Sequence, residues 1–131
     1  RGASLEKREA LGEALTGAVV ALAPERMAYG SVEAILKLQN LLGLRTSEIN
    51  LFEINETFAP QMLIALKALG LSPEKVNVNG GALALGHPFG GTGCRLVLTA
   101  LKELARRGQK RAIASICVGG GHGIAVAVER V

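Results

Sequence analysis

The 131-residue sequence predicts a three-layer α/β domain, in which a mixed, mostly parallel five-stranded sheet carries helices on both faces. Three observations carry that expectation. "LGLRTSEINL" (42–51) and "LGLSPEKVNV" (69–78) both read helix end, glycine, polar turn, strand, which is a βα alternation. Three amphipathic segments each stop at a glycine, as helices closed by a left-handed residue do. The chain finishes with two β-rich runs, "RAIASICV" and "GIAVAVERV", across a permissive "GGGH" turn that reads as a hairpin.

The elements follow in order. Residues 5–14 carry Leu5, Leu11 and Ala14 at intermittent helical spacing with Gly12 inside, so a short or frayed helix is expected, within an N-terminal extension or residual loop-domain segment, 1–14, that precedes a domain over 15–131. "LTGAVVAL" (15–22) reads as a strand that Pro24 ends. Ser31 is placed to cap a helix whose apolar face is Val32, Ile35, Leu36, Gln39 and Leu42, closed by Gly43. "INLFEIN" is a strand ending at Asn55; a helix from Glu56 then carries Phe58, Met62, Ala65, Leu66 and Leu69 at helical spacing and stops at Gly70. "VNVN" is a short strand, and Leu96, Ala100, Leu101 and Leu104 define a third helix ending at Gly108. The unbroken apolar run of "RAIASICV" points to a strand covered on both faces.

Composition narrows the function classes. The chain is 49% hydrophobic but only 3% aromatic, so its core is aliphatic. Net charge is +4, yet the densest basic cluster, "RRGQKR" (106–111), has no aromatic neighbours for base stacking and reads as a solvated helix end and loop, so no nucleic-acid partner is expected. Cys94 and Cys117 fit neither a disulfide framework nor metal-ligand spacing, so no metal is expected and a reducing, cytoplasmic setting is the default. No apolar run reaches bilayer length and the first residues are too charged for a signal peptide, so a soluble protein without a membrane partner is expected. Residue 1 is Arg rather than Met, which points to a piece of something longer.

In parallel α/β sheets the functional groups collect beyond the carboxyl ends of the strands. Asn55 closes "INLFEIN", His87 follows "VNVN", and Cys117 lies near the end of "RAIASICV". Each has an ordinary reading as well: Asn55 as a helix cap, His87 as a turn residue before Pro88, Cys117 as a small buried hydrophobe. Brought to one edge beside two glycine-rich loops, the amide, imidazole and thiol make a site for thiol and carbonyl chemistry. A thiolate is both base and nucleophile, and imidazole and amide groups can stabilise an enolate or thioester oxygen. Glycines after Cys117 leave backbone N–H groups bare, as an oxyanion hole requires.

"NETFA" (55–59), "NGGALALGHPFGGTG" (79–93) and "CVGGGHG" (117–123) resemble, in order and spacing, three signature blocks of the C-terminal half of thiolases. The resemblance covers residues 17–131, about the last third of a family member. It implies acyl transfer to or from coenzyme A by thiolysis or Claisen condensation, with a coenzyme A thioester as substrate and no covalently bound cofactor. Cys117 is implied as the acid/base at the substrate α-carbon, His87 and a water held by Asn55 as one oxyanion hole, the N–H of Gly119 as part of a second, and Phe58 as a wall of the acyl pocket. His87 would also activate a nucleophilic cysteine that belongs to the N-terminal half and is missing here. Cys94, at a helix start in "GGTGCR", does not replace it, and the segment that grips coenzyme A is missing too.

"MAYGS" (27–31) departs from the usual Gly-Pro turn, and His122 stands where Gln or Met is common, as an exposed turn residue or as an imidazole able to alter Cys117. The implied partners are an acyl-CoA, an N-terminal thiolase half on the same or a separate chain, and other copies in a homo- or hetero-oligomer. A eukaryotic source would make the compartment mitochondrial or peroxisomal. The rival readings are a non-catalytic thiolase-fold scaffold or binding subunit, which has no need of Asn55, His87 and Cys117 together, and a decarboxylating or acyl-carrier-dependent condensing enzyme, which uses two histidines.

Overall fold

The structure is a computed structural model and describes residues 11–131. Its sheet has four strands among the described residues, in the order β1-β4-β3-β2: β1 Glu13–Ala21, β2 Leu51–Ile54, β3 Arg111–Val118 and β4 His122–Glu129. The helices are α1 Gly30–Leu42, α2 Ala59–Leu69, the single turn α3 Ala82–Leu85, and α4 Thr92–Arg107, with a 3-10 turn over Pro24–Tyr29 leading into α1. Helices α1 and α2 cover one face of the sheet and α4 the other, so the three layers are as expected.

The sheet corrects two expectations. Only β2 and β3 run parallel, because β4 returns through the 119–121 turn and β1 pairs with it antiparallel, so antiparallel pairs outnumber parallel ones. The fifth strand, "VNVN", shrinks to a single bridge between Phe52 and Val76. Asn77 explains this. Its backbone turns into the left-handed region (φ 47°), which ends the extended run, and its side chain then takes over the pairing. Oδ1 accepts from Ile54 N at 2.8 Å and Nδ2 donates to Ile54 O at 2.8 Å, while Asn77 N donates to Phe52 O at 2.9 Å. One amide thus satisfies the two groups that a fifth strand would have paired.

The elements differ from the periodicity in detail. Glu13 and Ala14 belong to β1 rather than to a helix over 5–14; residues 1–10 of the sequence lie outside the described residues. Ser31 does not cap α1. It is buried one residue inside the helix, where its Oγ accepts from Gln61 Nε2 at 3.2 Å and its carbonyl accepts from Ser115 Oγ at 3.2 Å, tying α1 to α2 and β3. Leu36 is 40% exposed, and the buried face of α1 runs instead through Val32, Ala34, Ile35, Leu38 and Gln39. Helix α2 begins at Ala59, not Glu56, with Phe58 at its N-cap, so Asn55 does not cap it. Gly43, Gly70 and Gly108 close α1, α2 and α4 in the left-handed conformation, as expected.

The larger core lies between the sheet and α1 and α2, around Phe52, Ile35, Leu38, Ile54 and Ile113, all fully buried. On the α4 side a smaller cluster of Leu51, Ala100, Leu104, Ala112 and Val128 completes the interior. The basic cluster is paired: Arg106 and Arg107 bind Glu103, whose carboxyl the Arg106 hydrogen bond above all holds down to about 2, and Lys110 and Arg111 bind Glu129. No described helix is long and apolar enough to cross a membrane. The Asn77 bridge has a measurable consequence. Asn77→Gly keeps the positive φ but deletes the amide, and urea unfolding should show a loss of about 1–3 kcal/mol, the cost of stranding buried backbone groups.

Candidate active site

The parallel register of β2 on β3 runs from Leu51 opposite Ala112 to Ile54 opposite Ser115, and Asn55 N extends it by donating to Ser115 O at 2.9 Å. Both strands therefore finish at one edge. Beyond that rung the chain from β2 bends towards α2 and β3 continues to Cys117, which brings the Thr57 hydroxyl to 3.0 Å from the Cys117 sulfur. A cleft of about 480 Å³ opens there, lined by Met27, Thr57, His87, Phe89, Cys117 and Gly119, among others. A larger, shallower groove of about 580 Å³ along α1, lined by residues such as Val20, Glu33 and Lys37, contains neither thiol nor imidazole, so the smaller cleft is the chemical one.

His87 reaches the cleft on a loop that is held from below. The Glu56 carboxylate accepts from Asn77 Nδ2 at 3.1 Å and from Leu83 N at 2.9 Å, and it fills the space a Cβ at Gly81 would occupy, so a side chain there would have to displace it from these bonds. At the other end of the loop His87 Nδ1 lies 2.6 Å from Thr92 Oγ1, which donates to Pro88 O at 3.0 Å. A hydroxyl has one proton, and a carbonyl can only accept. With that proton on Pro88, Nδ1–H donates to Thr92 and the neutral ring presents a bare Nε2; with it on Nδ1, the ring's own proton sits on Nε2. The first arrangement suits a base at Nε2 that becomes a donor to an oxyanion once protonated. Phe89 packs edge-on against the ring, 5.1 Å between centroids.

The other expected residues sit around this cleft at different depths. Cys117 is 5% exposed, yet the residue lines the cleft, and its sulfur lies against the hydroxyl of Thr57, another lining residue. Gly119 lies at the rim, and a Cβ added there would meet nothing within 4 Å. Asn55 is buried just past the end of β2 and is not among the residues lining the cleft, and its Oδ1 has no hydrogen-bond partner among the described residues. Phe58, at the α2 N-cap, is 56% exposed and stands outside the cleft lining. Cys94 is exposed on α4, and His122, also exposed, has Nδ1 3.4 Å from Gly119 O. No group of three or more His, Cys, Asp or Glu side chains among the described residues could hold a metal ion. Thr57 and Thr92 were not singled out from the sequence. Their only signal there is position, two residues after Asn55 and five after His87.

Beneath the loop a polar layer lies between β2 and α4. Glu53 is 1% exposed, with Oε2 unpartnered, and the guanidinium nitrogens of Arg95 are likewise buried without partners among the described residues. Burial pushes the Glu53 carboxyl up to about 7, against the pull of Arg95 and with a further push from Glu103 and Glu56.

Two predictions follow from this geometry. At a pH where the His87 ring is neutral, its 15N shifts should report the Nδ1–H form in the native chain and in Thr92→Ser, and a shift towards Nε2–H in Thr92→Val; identical spectra in all three would remove Thr92 from the network. For Glu53 the folded state holds a proton that the unfolded state has released between about pH 4.5 and about pH 7. The Glu53 contribution to stability should therefore fall as pH rises through that window, so the melting temperature of Glu53→Gln should gain on that of the native chain across it, as read by thermal unfolding.

Comparison with known proteins agrees with this architecture. The family model described as "Thiolase, C-terminal domain" matches residues 9–130. The chain is 50% identical over 119 residues to an acetyl-CoA acetyltransferase of Chromobacterium violaceum, covering 91% of this chain and 29% of that protein. It is 46% identical over 129 residues to a 3-ketoacyl-CoA thiolase of Bacillus subtilis, covering 95% and 33%. It superimposes on the human mitochondrial 3-ketoacyl-CoA thiolase solved in complex with CoA with a TM-score of 0.89 at 44% identity, covering 92% of this chain and 31% of that one. The chain thus spans about a third of the length of the curated relatives it matches, and over that span it belongs to the thiolase family as a C-terminal domain.

Proposed function

We propose that this chain supplies the acid/base side of a thiolase active site, moving acyl groups to or from coenzyme A by thiolysis or Claisen condensation of a 3-ketoacyl or acetyl thioester, with the domain running over 15–131. The observation that supports the reading is one cleft lined by Cys117, His87 and Gly119 together. In the condensing direction the Cys117 thiolate takes a proton from the α-carbon of the acyl group, and the electron pair left there attacks the carbonyl carbon of the second thioester, whose C–S bond breaks and releases its sulfur as a thiolate. In thiolysis the Cys117 thiol returns that proton to the departing carbanion. Protonated His87 donates from Nε2 to the thioester oxygen, helped by a water that Asn55 holds, and Gly119 N–H donates to a second developing oxyanion. Phe58 lines the acyl channel once the rest of the enzyme covers it. The substrate is itself a coenzyme A thioester, and no further cofactor takes part.

The nucleophilic cysteine comes from an N-terminal half, which is the required partner, in an oligomeric assembly; the isolated chain is inactive. Three large apolar side chains near the cleft support a missing cover: Leu83, Leu85 and Phe89 are 60%, 59% and 89% exposed. Reconstitution with an N-terminal thiolase half should restore coenzyme A-dependent cleavage of a 3-ketoacyl thioester. Cys117→Ser in that complex should lower turnover by about 100-fold or more; undiminished turnover would refute the assigned role. Gly119→Ala separates site from fold. The open space around it leaves the melting temperature unchanged, while a methyl group pressed on the substrate side should cost about 10- to 100-fold in turnover.

A further inference from the structure

We infer that Thr57 is a positioning residue for Cys117: its hydroxyl donates to the sulfur, holds it towards the cleft and favours the thiolate. The inference rests on the acid/base role given to Cys117 above, but its geometry is independent of that role. Thr57 Oγ1 lies 3.0 Å from Sγ, and among the described residues no other hydrogen-bond partner competes for that hydroxyl. Of the two groups O–H is the better donor and sulfur in its anionic form much the better acceptor, so the contact strengthens when Cys117 loses its proton.

The surroundings leave little else to stabilise that anion. Cys117 is 5% exposed, between Ile116 and Val118 at the end of β3 and opposite Gly123 of β4, so bulk water supplies little solvation. Among the residues lining the cleft, His87 is the other titratable group, and its Nδ1 is committed to Thr92. From β4, His122 directs Nδ1 to Gly119 O. From the β2–α2 turn, the Glu56 carboxylate is taken up by Asn77 and Leu83. From the turn before α1, Met27 contributes only a thioether.

The hydrogen bond also fits the proton bookkeeping of the step. When the sulfur removes a proton from the substrate α-carbon, the S–H bond forms, the C–H bond breaks and its electron pair stays on the carbon. Thr57 keeps its own proton throughout and turns from a strong contact to the anion into a weak one to the thiol. Thr57 therefore tunes how readily Cys117 gives and takes the proton without exchanging one itself.

Alkylation of the chain by iodoacetamide across a pH series, resolved by peptide mass spectrometry, tests this without any turnover. Cys94, exposed on α4, reports within the same sample. Thr57→Val keeps the shape and removes the donor. Its Cys117 pH–rate profile should move to higher pH, while the Cys94 profile stays in place, and Thr57→Ser should restore the native Cys117 curve. Superimposable Cys117 profiles in native and Thr57→Val chains would overturn the inference. So would a parallel shift of both cysteines that Thr57→Ser fails to reverse, because that is the signature of altered folding. Loss of activity in a reconstituted Cys117→Ser complex bears on the acid/base role alone, so the two readings fail separately.

Discussion

The parallel register of β2 against β3 is the constraint on which the rest depends. Strand pairing has a side-chain period of two, so a slip of one residue between the two strands would set their faces out of step and part the Thr57 hydroxyl from the Cys117 sulfur. The register is fixed from both sides. Ile54, Phe52 and Ile113 must face the α1 and α2 layer to stay dry, and the Asn55 N to Ser115 O rung locks the last step before the chain turns. Ser115 adds a second lock across the sheet, since its hydroxyl lies within reach of both the Ser31 and the Ile124 carbonyls. Thr57 reaches the sulfur only because this rung ends the ladder where it does.

The two faces of the sheet do different work. The α1 and α2 side is aliphatic and supplies rigidity through close-packed Ile, Leu and Phe side chains. The α4 side mixes apolar residues with Glu53, Arg95, Asn79 and Glu103, and this is the side that carries the His87 loop. Buried polar groups cost free energy wherever they lack partners, so such a layer is tolerated chiefly where it holds irregular backbone in place. The Asn77 amide and the Glu56 carboxylate do this directly: one replaces a strand and the other fixes the start of the loop.

Much of this was legible in the sequence because periodicity and glycine stops report burial and helix ends directly. The three long helices, the closing hairpin and "INLFEIN" fall where their apolar spacing puts them. The fifth strand was not legible, since "VNVN" alternates like a strand while Asn77 satisfies the pairing through its side chain, a tertiary substitution that no spacing encodes. The count of parallel pairs failed for the same reason, and because β1 pairs with the last strand rather than the next one. Asn55 as a cap failed because three residues of turn intervene before α2. Cys117, His87 and Gly119 stood out by residue type and by the motifs around them. Thr57 and Thr92 did not, because a hydroxyl gains meaning only from what lies 3.0 or 2.6 Å away.

The direction in which the Cys117 sulfur points decides whether this edge of the sheet is a chemical site. Labelling it with a 13C-methylthio group, small enough for the cleft, and recording NOEs from that methyl gives the answer directly. A sulfur in the cleft gives NOEs to the Thr57 methyl and to ring protons of His87 or Phe89. NOEs confined to the aliphatic interior, around Ile113 and Ala125, would contradict the arrangement described here.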